Sequence, residues 1–161
     1  MKIRVVDFEI LTRNYKVFID GKIEQNNVKD KFLQKIEPLR KEMESIIKAA
    51  NSPLIVDQQS QQKRMEKFKQ LQEEAVGYDN DFKEEFKKMN ETLTKKVYEN
   101  LEAIITEWSQ NNDVDIVTGK MEVVFSKPEF DITNDILEVL KEKNLYIEYK
   151  EEVKKEEKES V

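Results

Sequence analysis

The side chains that could do chemistry in this chain are carboxylates, amines, amides and hydroxyls, because the sequence of 161 residues contains neither cysteine nor histidine. This absence excludes thiol nucleophiles, imidazole bases, disulfides, and metal sites made of thiolates or imidazoles. Glycine-rich phosphate loops, serine nucleophile settings and paired carboxylates supported by the surrounding pattern are also missing from the sequence. We therefore predict a protein that is not an enzyme and that uses no cofactor.

One cluster in the sequence has metal-ligand character, because Asp79, Asp81, Glu84 and Glu85 lie close together. Carboxylate oxygens are the ligands that calcium prefers. The glycine and the distal glutamate of a calcium loop are absent, however, and a helical pattern resumes at Phe82. A solvated helix face explains the cluster better, and we predict no metal site.

The composition favours long helices over a compact globule. Charged residues make up 39% of the chain and hydrophobic residues 38%, which is less apolar than a typical globular domain. A pair of long helices needs fewer apolar residues, because each helix buries only one stripe. The chain has 3 glycines and 3 prolines and so offers few places to turn.

Two long helices are predicted by apolar residues that recur at steps of three and four. The first run covers residues 28–50 and contains Pro38, which is expected to bend the helix without ending it. Asp57 is a suitable N-cap for a second helix over residues 58–110, in which Gly77 is expected to loosen or bend the backbone. The seam of this second helix is predicted to contain Met65, Phe68, Leu71 or Gln72, Ala75, Phe82, Phe86, Met89, Leu93, Val97, Leu101, Ile104 and Trp108.

The predicted fold is mainly α with a small β body, in which a long antiparallel helical hairpin projects from a short-stranded α/β oligomerisation body. The hairpin comprises residues 22–111 with its tip near 50–57, and the body comprises residues 1–21 and 112–149. The shorter elements expected in the body are a strand at 2–8, a helix at 9–19 that breaks at Asp20-Gly21, strands at 114–117 and 121–125 around a tight turn, a helix that opens at Asp131, and a strand at 145–149. Residues 150–161 are rich in lysine and glutamate and are predicted to be disordered.

The small body is expected to require oligomerisation. A few short strands and helices make too small a core to anchor so long a hairpin, so contacts between copies would supply the missing burial. The residues expected in this oligomer body are the apolar side chains of its predicted strands, Val5, Ile116, Val117, Val123, Val124 and Phe125.

The two ends of the chain resemble the Skp/OmpH family, over most of residues 2–140. The match is carried by the N-terminal strand that leads into Phe8 and by three C-terminal segments, Asp115-Ile116-Val117, Val123-Val124-Phe125-Ser126 and Asp131-Ile132-Thr133-Asn134-Asp135-Ile136-Leu137. The resemblance implies a homotrimer whose strands form a shared body and whose hairpins enclose a cavity. It also implies ATP-independent holding of unfolded or partly folded proteins of the outer-membrane-protein type. The net charge of −6, Pro38, and residues 145–161 depart from the family's pattern.

Two apolar patches could then bind clients. Leu54, Ile55 and Val56 at the tip form either an exposed patch or a small cap over the helix ends. Phe82, Phe86 and Met89 either line the cavity or pack in the seam against the first helix. An excess of basic side chains near the tip could attract acidic clients or anionic membrane surfaces, or could be an ordinary solvated helix surface: Arg40, Lys41, Lys48, Lys63, Arg64, Lys67 and Lys69. No nucleic-acid partner is predicted.

The sequence leaves two interpretations open for the compartment and two for the function. Met1 leads directly into a strand with no apolar signal segment, which indicates a cytoplasmic protein; if Met1 follows a removed export signal, the periplasm is equally consistent. The alternative to a holdase is a structural or adaptor coiled-coil protein with the same fold and no chaperone activity. A prefoldin-like protein is disfavoured, because prefoldin places its strands between its helices, whereas here the predicted strands flank the hairpin.

Overall fold

The structure, a computed structural model, describes residues 1–52 and 57–149. The chain divides into two compact units, of which unit 1 contains Met1–Lys22 and the chain from Thr92 onward, and unit 2 contains Ile23–Glu91. The elements in chain order are β1 (Ile3–Val6), α1 (Phe8–Arg13), α2 (Lys16–Ala50), α3 (Gln58–Asn111), β2 (Ile116–Gly119) and α4 (Thr133–Glu142), with short 3-10 turns at Lys120–Glu122 and Pro128–Phe130. The mainly helical fold with a small sheet confirms the predicted fold class.

The sheet of unit 1 is a parallel pair formed by β1 and β2, with Ile3 opposite Ile116 and Val6 opposite Gly119. An isolated bridge joins Val5 to Asp131 on the other side of β1. Parallel strands need a long crossover connection, and here the two long helices provide it.

The predicted local strand pair after the hairpin is wrong. Residues 121–125 form no strand in the structure, because the chain turns into the 3-10 turn at Lys120–Glu122 directly after β2. A tight two-residue hairpin needs a positive φ in its turn, whereas Gly119 has a φ of −69°. The strand predicted at 145–149 is reduced to one isolated bridge between Tyr15 and Tyr146.

The core of unit 1 is built from β1, α1, the start of α2, the last part of α3 and α4. Its fully buried side chains include Val6, Leu11, Tyr15, Leu101 and Ile136. The helix predicted after Asp131 is confirmed as α4. Its first turn is fixed by Asp131, whose carboxylate accepts hydrogen bonds from the backbone N–H (2.9 Å) and the hydroxyl (2.5 Å) of Thr133.

The predicted break at Asp20-Gly21 is also wrong, because the chain breaks instead between α1 and α2, at Asn14 and Tyr15. Gly21 lies inside α2, where α3 comes very close. A Cβ atom at position 21 would lie 2.7 Å from Cδ2 of Leu93 and 3.0 Å from its Cγ. Gly21 therefore serves close helix packing and not a turn.

Unit 2 consists of the paired segments of α2 and α3. Both helices are uninterrupted, so α2 continues through Pro38 and α3 through Gly77. Asp57 caps α3 as predicted, since its carboxylate accepts a hydrogen bond of 2.9 Å from the backbone N–H of Ser60. The hydroxyl of Ser60 also donates to this carboxylate, at 2.8 Å, and the hydrogen bonds from the backbone N–H and the hydroxyl of Ser60 lower the pKa of Asp57.

The seam of α3 differs from the prediction at its first position. Met65 is 73% exposed, whereas Leu71 is 3% exposed. Arg64 and Phe68 are half-buried, so the buried stripe steps from 64 to 68 and then to 71, and Met65 lies outside it. A polar contact also joins the helices, because the buried Gln25 donates a long hydrogen bond of 3.4 Å to the exposed Asn90.

Candidate functional site

The aromatic patch predicted on α3 lies in the seam of unit 2. The rings of Phe82 and Phe32 are stacked with centroids 4.4 Å apart, and Phe86 packs on Phe82 at 5.4 Å. Phe82, Phe86 and Met89 are each half-buried. These contacts favour packing against α2, which was one of the two interpretations of the sequence, and leave only part of each side chain accessible.

An apolar groove lies where α2 ends and α3 begins. This end groove has a volume of about 500 Å³ and is lined by Ile46, Ile47, Ala49, Ala50, Ser52, Gln61, Arg64, Met65 and Phe68. Ile47 and Met65 are its most exposed large apolar side chains, at 48% and 73%. The predicted patch Leu54-Ile55-Val56 lies outside the described residues.

Sequence reasoning missed Ile47 and Met65 as surface residues. The sequence places Met65 in the seam because Met65 lies three residues before Phe68, a step that also fits a helix stripe. The step of four from Arg64 to Phe68 places the buried stripe correctly, because the long arginine side chain can lie along an apolar stripe.

Three of the basic side chains predicted at the tip are paired. Arg40 contacts Glu37 at 2.9 Å and Glu44 at 3.2 Å, and Lys41 contacts Glu37 at 3.8 Å. The hydrogen bond from Arg40 lowers the pKa of Glu37, and Glu37 in turn raises the pKa of Arg40. Lys67 pairs across the helices with Glu42 at 3.5 Å.

The other four basic side chains form no ion pair within the described residues: Lys48, Lys63, Arg64 and Lys69. Arg64 lines the end groove, and Lys48 is adjacent in sequence to the groove residue Ile47. The end groove therefore has exposed apolar side chains close to basic side chains that form no ion pair within the described residues.

The residues predicted for the oligomer body divide into two groups. Val5 is buried, and Val117 packs against the core of unit 1. Ile116 is 46% exposed, and the chain that follows β2 leaves Met121, Val124 and Phe125 at least 80% exposed. Val123 is half-buried.

A second groove crosses the surface of unit 1 beside these exposed side chains. This body groove has a volume of about 770 Å³, and its apolar lining includes Phe8, Tyr98, Leu101, Ile105, Val117 and Met121. Phe8 and Tyr98 are stacked with centroids 5.8 Å apart. Glu9, Glu102 and Glu122 are among its acidic lining residues.

The acidic cluster on α3 has helical partners. Lys83 pairs with Asp79 at 2.6 Å and Lys88 with Glu84 at 2.7 Å, each one helical turn apart. The hydrogen bond from Lys88 lowers the pKa of Glu84. In residues 1–52 and 57–149, no three histidine, cysteine or acidic side chains converge as a metal site would require. None of the described helices has both the length and the apolar character needed to cross a membrane.

Comparisons with known proteins agree with this architecture. The family model described as "Outer membrane protein (OmpH-like)" matches residues 2–140. A protein of Caulobacter crescentus CB15 assigned as an OmpH-like outer membrane chaperone has a similar crystal structure, with a TM-score of 0.68 at 14% sequence identity, covering 88% of this chain and 84% of that one. No curated protein sequence matches the chain. Because the family match extends over most of the sequence, the chain belongs to the OmpH-like family.

Proposed function

We propose that this protein is a non-catalytic chaperone that holds unfolded or partly folded client proteins, of the outer-membrane-protein type, without ATP. The observation that carries the proposal is the family match over residues 2–140, together with a structural neighbour assigned as an outer membrane chaperone. The same neighbour's outer-membrane assignment makes the periplasm the proposed compartment.

The end groove supports this role chemically. An unfolded chain offers scattered apolar side chains, and flexible methionine and aliphatic groups can contact many different sequences weakly. Ile47 and Met65 present such groups to solvent. Many weak contacts held close together retain a client, because the effective concentration of binding surface is high.

The body groove supports an oligomer of this chain, with the homotrimer as the proposed state. In the described structure, β2 pairs only with β1, so its other edge is open. Met121, Val124 and Phe125 form an exposed apolar stretch beside an apolar groove. Contacts between copies would cover both, and exposed apolar surface of this kind is typical of association sites.

An additional transient contact with anionic membrane surfaces is proposed for the end of the helical pair. It rests on Lys48, Lys63, Arg64 and Lys69, which have no ion pair within the described residues. Basic residues near a membrane each add roughly 1 kcal/mol of attraction to anionic lipid. Vesicles with phosphatidylglycerol should therefore bind the protein in dilute salt, and vesicles of phosphatidylcholine alone should not.

Aggregation of a β-barrel membrane protein diluted from urea tests the main proposal. Light scattering should stay low when the protein is present without ATP, and the mass of the protein in the same samples should correspond to an oligomer. Met65→Gln should weaken the protection, whereas Val76→Gln should not, because Val76 is also exposed on α3 but does not line the end groove.

A well-folded oligomer that leaves aggregation unchanged would contradict the chaperone proposal. The alternative would then hold, in which the chain is a structural or adaptor protein with the same fold. The net charge of −6 and the filled aromatic seam of unit 2 are the observations that favour this alternative.

A further inference from the structure

The break between α1 and α2 takes the N–H of Lys16 and the carbonyl of Asn14 out of helical hydrogen bonding. In a continuous helix, the N–H of Lys16 would bond to the carbonyl of Thr12, and the carbonyl of Asn14 would accept from Phe18. Here the N–H of Phe18 donates instead to the carbonyl of Tyr15, at 3.0 Å. Tyr15 is 1% exposed, so polar groups beside it need partners within the protein.

The C-terminal segment 145–149 supplies those partners. The N–H of Lys16 donates to the carbonyl of Leu145 at 2.8 Å, and the N–H of Ile147 donates to the carbonyl of Asn14 at 2.9 Å. A third bond of 3.0 Å runs from the N–H of Tyr149 to the side-chain oxygen of Asn14. The N–H of Lys16 and the carbonyl of Asn14 are therefore both satisfied by one short segment.

The end of α4 directs the chain into this position. Asn144 has a φ of 57°, and the N–H of Leu145 returns to the carbonyl of Leu140 at 2.8 Å. The N–H of Asn144 bonds to the carbonyl of Lys141 at 3.1 Å, which completes a Schellman motif. Leu145 packs against the core, so the turn is held by burial as well as by hydrogen bonds.

Two cations hold the aromatic side chains of the segment. Lys141 lies over the ring of Tyr146 at 5.0 Å, and Arg13 lies over the ring of Tyr149 at 5.8 Å. Such contacts stabilise an aromatic ring against a basic side chain at the surface. The segment is thus anchored on both sides of the break, by α4 and by α1.

We propose that residues 145–149 act as a clasp that holds the break between α1 and α2 in its non-helical form and fixes the first turn of α2. The segment lies beyond residues 2–140, to which the family match extends, so the clasp is a feature of this chain that the family match does not account for. The proposal is independent of client binding, since it rests on contacts within unit 1.

Hydrogen exchange of the full-length protein tests the clasp with a matched pair of proline substitutions. Ile147→Pro removes the N–H that bonds to Asn14, whereas the N–H of Glu148 forms no hydrogen bond within the described residues. We expect Ile147→Pro to speed exchange in residues 14–19 by about tenfold or more and Glu148→Pro to leave it near the wild-type rate.

Two truncations provide a second measurement. Ending the chain after Tyr149 should leave exchange at residues 14–19 unchanged, whereas ending it after Asn144 should speed exchange as Ile147→Pro does. Equal behaviour of the two proline variants would overturn the proposal, as would unchanged exchange when residues 145–149 are removed.

Discussion

Replacing Gly21 with alanine tests the packing of α2 against α3 in unit 1. The added Cβ would meet Leu93, with Cδ2 at 2.7 Å and Cγ at 3.0 Å. Leu93 is half-buried and packs against the core, so moving its side chain away from position 21 would disturb that packing. Overpacking of this kind lowers the free energy of unfolding by about 1–3 kcal/mol.

Gly77→Ala is the matched control. Gly77 also lies inside a helix, but no atom lies within 4 Å of a Cβ at that position. Both substitutions gain the helix propensity of alanine over glycine, which is about 1 kcal/mol. The gain cancels in the comparison, so Gly21→Ala should be less stable than Gly77→Ala by the overpacking term alone, about 1–3 kcal/mol.

Urea unfolding followed by circular dichroism, at one fixed protein concentration, measures the free energy of unfolding of both variants. The same pair in a Leu93→Ala background removes the clash, so Gly21→Ala should then stabilise the protein about as much as Gly77→Ala. Equal stability of the two single variants in the wild-type background would refute the close approach of Gly21 to Leu93.

Three further predictions concern acid stability, the end of α4 and the aromatic seam. Burial raises the pKa of Asp131, but hydrogen bonds from Thr133 and Lys120 outweigh it and lower the net pKa. Because the native pKa is lowered, ionised Asp131 stabilises the protein above the unfolded pKa of about 3.9, and this stabilisation is lost as the pH falls through the native pKa. The free energy of unfolding should therefore fall less steeply with decreasing pH for Asp131→Asn than for the wild type. Asn144→Val should lower the free energy of unfolding by about 1–2 kcal/mol, because its φ is 57°, whereas Asn144→Gly should not, as thermal unfolding will show. A double-mutant cycle of Phe32→Leu and Phe82→Leu should give a coupling of about 0.5–1.5 kcal/mol, and no coupling would contradict their stacking.

The sequence predicted best the elements whose signals are local. The end of α2 at Ala50, the cap of α3 at Asp57 and the start of α4 each follow from a few neighbouring residues. The break at Asn14 could not be predicted in this way, because its backbone groups are satisfied by residues 145–149, far along the chain.

The predicted pairing of the strands was wrong for a related reason. Adjacent β-prone runs separated by a glycine favour a local hairpin, but β2 pairs with β1 across the whole helical region. Similarly, Gly21 has the local character of a turn residue, and only the position of Leu93 reveals its packing role.

The candidate site could be predicted in part. The pairing of Arg40 and Lys41 with Glu37 can be predicted from their spacing of three and four residues, because side chains at this spacing lie together on a helix. The pairing of Lys67 with Glu42 depends on the register between two helices and could not be inferred from spacing within one of them.

The most direct test of the proposed chaperone function is the mass of a complex with an unfolded client. A fluorescent β-barrel membrane protein, diluted from urea into an excess of this protein without ATP, can be followed by sedimentation velocity. We predict that the fluorescence sediments as one defined species whose mass equals one client plus one oligomer of this chain. Fluorescence that sediments as large aggregates, while the protein sediments alone, would contradict the proposal.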